Sequence, residues 1–152
     1  MASTITSGTL TVKVTEAIAL NGTNMDATNT LTINAVNEIN QRIVTIPPQD
    51  LRILYEFGTV IGPGKFIYAD AQYLRITNKD DTIVVNINIC TASTNQWVSL
   101  TAGQSFISSL NGSQGVASGT VAGASLADIT KITVQNPSLT LAVDIDCYVA
   151  LT

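Results

Sequence analysis

The chain has no histidine, two cysteines, one tryptophan and four prolines, and charged residues make up only 12% of its 152 positions. Each shortage closes a route to function. Without histidine, the commonest general base and metal ligand at neutral pH is gone. The serines have no base partner, and no lysine stands in a Ser-Lys pattern. Asp144 and Asp146 share one side of the last strand, about 7 Å apart by strand rise. A glycosidase would set such carboxylates in an aromatic-lined cleft, and aromatics here are 5% of residues. The expectation is a protein that is not an enzyme and holds no cofactor or metal.

Partners narrow in the same way. The seven basic residues Lys13, Arg42, Arg52, Lys65, Arg75, Lys79 and Lys131 are scattered, and the pI is near 4.4. That opposes nucleic-acid binding, which needs clustered positive charge. No apolar run approaches a membrane span, and MASTITSGTL has neither the basic nor the apolar region of a secretory signal. We therefore expect a chain made in a cytoplasm, with no membrane partner. In that compartment Cys90 and Cys147 are expected as free thiols. Strand parity puts Cys147 on the core side of its strand and Cys90 on the opposite side from its apolar neighbours. Asn78-Lys79-Asp80-Asp81 is the densest charge, read as turn chemistry ahead of a calcium site.

What fills the chain instead is Thr, Ser, Asn and Gln beside 45% hydrophobic residues, with net charge −4 and mean hydropathy +0.31. A free monomer relies on surface charge for solubility. Covered surface in an oligomer or lattice accounts for so little of it. Short segments of period-two alternation recur every 8–12 residues with turn signals between them, the pattern of an all-β sandwich or barrel. We expect a two-sheet antiparallel β-sandwich, jelly-roll-like, of about ten short strands. It forms a single domain over 1–152, with an N-terminal arm at 1–8 and a long Gly/Ser loop at 110–124. A helical turn is expected over Ser125–Asp128, capped by Ser125. In LRILYEF, alternation groups Leu51, Ile53, Tyr55 and Phe57.

The stretch YLRITNKDDTIVVNINI, from Tyr73 to Ile89, reads as a hairpin. Leu74, Ile76, Val85 and Ile87 form its apolar side and join Leu141, Val143 and Ile145 in the expected core. Its other side carries Tyr73, Arg75, Thr77, Asn86 and Asn88. These are polar enough to dissolve and uncharged enough to be covered, so they are the candidate interface. Trp97 and Tyr73 are weighed as sugar-stacking platforms, with core or interface roles preferred.

Three phrases, NTLTINAVNEINQRIVTIP, YLRITNKDDTIVVNINI and LTAGQSF, followed by a DI-rich last strand, resemble small virion proteins of tailed bacteriophages. Those of marine and freshwater cyanobacterial phages are the nearest in pattern, and the resemblance spans about Leu10 to Leu151. It implies a non-enzymatic capsid decoration (cement) protein that binds the major capsid protein on the outer surface of the virion. Such proteins typically sit as homotrimers over local threefold positions. Tail, neck and head-fibre proteins share the pattern, and a carbohydrate-binding β-sandwich module is the alternative from another class.

Overall fold

The computed structural model describes residues 6–110, 114–118 and 125–152, all strands and connections with no helix among them. The described residues fall into two compact units, one within 1–37 with Thr152 and one within 38–151.

The first unit is a ribbon. Strands β1 (Gly8–Glu16) and β4 (Ala27–Val36) pair antiparallel, and β2 (Ala19–Leu20) pairs with β3 (Thr23–Asn24). Asn21 and Gly22 join that short pair with φ of 50° and 80°. Two successive positive φ values are what a tight hairpin turn needs, and Asn-Gly tolerates them best. Cross-strand pairs Leu10–Ile33 and Val12–Leu31 make an apolar stripe, while Thr11–Thr32, Lys13–Thr30 and Thr15–Thr28 make the reverse side. Near the open end Asn34 and Ala35 oppose the single residue Thr9, and Ala35 takes a φ of 60°, the left-handed conformation of a bulge.

The second unit is the β-sandwich. One sheet runs in the order β10 (Asn95–Leu100), β9 (Val85–Thr91), β13 (Ser125–Gln135), β6 (Leu51–Gly58), β7 (Lys65–Ile67), and β12 (Gln114–Ser118) also pairs with β13. The other runs β11 (Ser105–Ser109), β8 (Ala71–Asn78), β14 (Val143–Leu151), β5 (Glu38–Ile46). Set β7 and β12 aside, and the remaining eight strands can be lettered B to I in chain order. The sheets then read C-H-E-F and B-I-D-G, every neighbouring pair antiparallel. That is the jelly-roll order, two Greek keys wrapped into two facing sheets.

The core lies between the sheets and includes Leu74, Ile76, Val85, Ile87, Ile132, Val143, Ile145 and Val149, each at most 1% exposed. Tyr55, Phe57 and Phe66 pack as an aromatic cluster, with Tyr55 and Phe66 edge to face at 5.7 Å. Three expectations fail here for stated reasons. Leu141 is 57% exposed, because residues 136–142 are a turn and β14 starts only at Val143. Leu51 and Ile53 are exposed while Leu54, Tyr55 and Phe57 are buried. A bulge between the Ile132–Tyr55 and Thr133–Ile53 pairs resets the alternation midway along β6. Ser125–Asp128 is the start of β13, since pairing with β12 outweighs a one-turn helix. That β12 strand lies inside the expected 110–124 loop, the rest of which, 111–113 and 119–124, falls outside the described residues. So do residues 1–5 of the expected arm.

Two asparagines tie the connections at one end of the sandwich, and both are fully buried. Asn136 Nδ2 donates to the carbonyls of Ile46, Pro47 and Leu141, and its Oδ1 accepts from Ser138 N. Asn78 Nδ2 donates to the carbonyls of Ile83 and Leu100, and its Oδ1 accepts from Asp80 N. A side-chain amide can serve both a donor-poor and an acceptor-poor turn, so it satisfies crossovers that regular pairing leaves open.

Candidate interface surfaces

The expected hairpin does not form. β8 pairs with β11 and β14, whereas β9 pairs with β10 and β13 in the other sheet. Residues 79–84 cross between the sheets, steered by Asn78. Asp80 Oδ1 accepts from the backbone of Thr82 and Ile83, and these bonds hold its carboxyl below the usual carboxylate range. Its first oxygen is thus occupied by its own turn. Among the described residues, no three His, Cys, Asp or Glu side chains group as metal ligands.

The single candidate interface therefore divides in two. Tyr73, Arg75 and Thr77 lie on the outer face of the β8 sheet, and Asn86 and Asn88 on the outer face of the β9 sheet. On the first face, Arg75 Nη2 donates to Asp146 Oδ2 at 2.8 Å, and its guanidinium lies 5.9 Å from the Tyr148 ring centroid. Tyr73 meets Tyr148 edge to face at 5.8 Å and is only 4% exposed. Burial pushes its phenol above the ordinary value, with Arg75 pulling the other way. Tyr73 is consequently part of the chain's own packing, and Arg75 is held in an ion pair with Asp146. Thr77 exchanges a hydrogen bond with Ser105 at 2.8 Å, and Asp144 accepts one from Thr45 at 2.6 Å. Farther along, on the edge strand β5, Ile39 and Ile43 are 54% and 66% exposed.

On the second face, register sets Trp97, Asn88, Thr133 and Ile53 side by side across four strands, with Ser99, Asn86, Gln135 and Leu51 in the next row. Sequence reasoning had Asn86 and Asn88 but not their companions. Alternation in β10 and β13 shows which residues share a side of each strand, and only the register shows which strands lie together. Asn88 and Thr133 are buried, while Trp97, Leu51 and Ile53 are half exposed.

The two thiols are free and buried. Cys90 sits on the second face between Asn95 and Lys131, and Cys147 faces the core, where burial pushes its pKa up to about 12. Near the open side of the sandwich, the Arg42 guanidinium hydrogen-bonds the Leu54 carbonyl and lies 5.3 Å from the Tyr55 ring centroid. An inward-pointing charge on an edge strand discourages further strand addition there. In the connection after β6, Val60 and Ile61 are each 72% exposed.

None of the described helices is long and apolar enough to cross a membrane, there being no helix. No protein-family model matches the chain, and no curated protein matches it. Among solved structures, the cupin domain of Drosophila melanogaster CENP-C is similar over 88% of this chain and 73% of its own, at 11% identity and a TM-score of 0.40. Drosophila melanogaster CENP-C bound to CAL1 gives 11% identity and a TM-score of 0.39, over 88% and 74%. A Bacillus endospore appendage of a disulfide-linked pilus family gives 15% identity and a TM-score of 0.42, over 75% and 88%. Likeness at that level extends to all-β architecture and carries no function across.

Proposed function

We propose that the chain is a non-enzymatic structural protein of a virus particle, a capsid decoration protein that clamps the shell as a homo-oligomer, most simply a trimer. The resemblance of its strand phrases to small virion proteins of tailed phages supports the setting. The observation that carries the assembly role is the ribbon β1–β4. A two-stranded ribbon is marginal in water by itself, because one apolar face has no second layer. Here Leu10, Val12, Leu31 and Ile33 are half-buried rather than buried, and Val14, Ile18, Leu20 and Met25 are 40–58% exposed. Val36 is the one buried residue of 6–37. A surface of another copy, or of the shell, supplies the missing layer. The major capsid protein is the partner this reading names.

Adding the purified protein to shells stripped of it tests the role. The wild-type chain should bind at fixed copy number and raise the temperature at which shells rupture. Val12→Asp places a charge in the stripe that must be desolvated on covering, so it should abolish binding while leaving the sandwich folded. Binding to isolated tails and not to shells would move the protein elsewhere in the virion. Wild-type binding by Val12→Asp would refute the ribbon's role.

A further inference from the structure

The outer face of the β9 sheet is built differently from an ordinary solvated sheet. The rows Trp97–Asn88–Thr133–Ile53 and Ser99–Asn86–Gln135–Leu51 contain no charged residue. Their ends are apolar and half exposed, with Trp97 at 52% and Ile53 at 51%. Their middle is amide and hydroxyl. In the second row the groups serve each other, Ser99 Oγ donating to Asn86 Oδ1 at 2.8 Å and Asn86 Nδ2 to Gln135 Oε1 at 3.3 Å. In the first row they do not. Asn88 and Thr133 are 8% and 3% exposed, and Asn88 Oδ1 and Thr133 Oγ1 have no hydrogen-bond partner. A buried acceptor left unpaired is costly, so two adjacent ones on an outer face ask for donors from outside.

We propose that this face binds a neutral saccharide, with a pyranose ring stacked on Trp97 and its hydroxyls paired with Asn88, Thr133 and Gln135. A sugar offers one apolar C–H face and a rim of hydroxyls that both donate and accept. The indole of Trp97 meets the first requirement. The amides of Asn88 and Gln135 and the Thr133 hydroxyl meet the second, because each offers a donor and an acceptor. The two rows themselves carry no charge, Lys131 lying in the row beyond Thr133, so the contacts they offer suit a neutral sugar. Three strand spacings, about 14 Å, separate Trp97 from Ile53, enough for a short oligosaccharide lying across the strands. The unpaired oxygens are covered, so pairing them with a sugar requires neighbouring side chains to shift, and the indole stands beside Asn88 to do so. Binding and a change around Trp97 therefore occur together. This site is independent of the ribbon and of any assembly role.

Trp97 is the sole tryptophan, so its fluorescence reports on this face alone. The full-length protein is titrated to 20 mM with neutral trisaccharides of glucose, galactose, mannose and N-acetylglucosamine. At least one should give a saturable change in intensity or wavelength. For that sugar, calorimetry should show affinity falling at least tenfold in Trp97→Ala and about fivefold in Gln135→Ala. Gln41→Ala, exposed on the other sheet, should bind as wild type. Circular dichroism confirms that each variant is folded. Silence across the panel would overturn the site, as would binding retained in both Trp97→Ala and Gln135→Ala. So would an oligomer that Trp97→Ala dissociates in a protein without sugar response, since the face would then belong to a second copy.

Discussion

Strands β1 and β14 are both nine residues long, and both place apolar residues at every second position over most of their length. In β14, Val143, Ile145, Cys147, Val149 and Leu151 are each at most 2% exposed. In β1, Leu10 and Val12 are half-buried and Val14 is 40% exposed. The periodicity is the same, and what differs is the second layer. β14 lies at the centre of a four-stranded sheet facing another sheet, while β1 has one neighbour in its own ribbon. Alternation specifies that a strand has an apolar side. It does not specify what covers that side, and for the ribbon we propose that a partner does.

The contrast can be broken most forcefully at the turn that starts β14. Asn136→Ala would strip partners from three carbonyls, at a cost of roughly 3–5 kcal/mol, measured by urea unfolding. Loss of under about 1 kcal/mol would show that water replaces the amide and that the corner is not what holds the sandwich closed. One step down, equivalent truncations compare the two regions directly. Ile87→Ala should cost about 2–4 kcal/mol by leaving a cavity. Val12→Ala in the dilute chain should cost under about 1 kcal/mol. Similar values for both would mean the ribbon already has a core.

A further effect is chemical. The Cys147 thiol, ordinarily near 9, is pushed up to about 12 by burial. Its folded-state pKa is raised, so its contribution is fully present below pH 9 and is lost as pH rises toward 12. By pH 10 the loss is on the order of 1 kcal/mol, the unfolded thiol being largely ionised and the folded one not. Unfolding midpoints from pH 8 to 10 should fall accordingly, and fall less in Cys147→Ala. An equal fall in both would assign the alkaline loss to other groups. Tyr55 titrates above its usual value for the same reason, burial first.

Much of this fold is legible locally. Glu38–Ile46 and Ser105–Ser109 are strands with the ends their sequences suggest, because Pro47 and the Thr101–Gly103 turn stop pairing nearby. The thiols' opposite orientations also follow from parity. Pairing is not local. YLRITNKDDTIVVNINI has the alternation and turn residues of a hairpin, yet Asn78 turns the chain from one sheet to the other. Nothing within seventeen residues shows that β14 and β13, far along the chain, compete successfully for those strands. The bulge in β6 is equally silent, since LRILYEF alternates cleanly on paper. The candidate face was read from one supposed hairpin, so it split when the hairpin did. The grouping of Trp97, Asn88 and Thr133 depends on three strands meeting and was invisible for the same reason.

The central claim is that the ribbon is completed by something outside the chain. Amide hydrogen exchange tests it most directly, comparing residues 8–36 and 143–151 in dilute protein and in the assembled particle. The account predicts that amides of β14 are protected in both states. Those of β1 and β4 should exchange within about one or two orders of magnitude of the unprotected rate when dilute and slow by at least a hundredfold on assembly. Ribbon amides as slow as those of β14 in the dilute chain would contradict it.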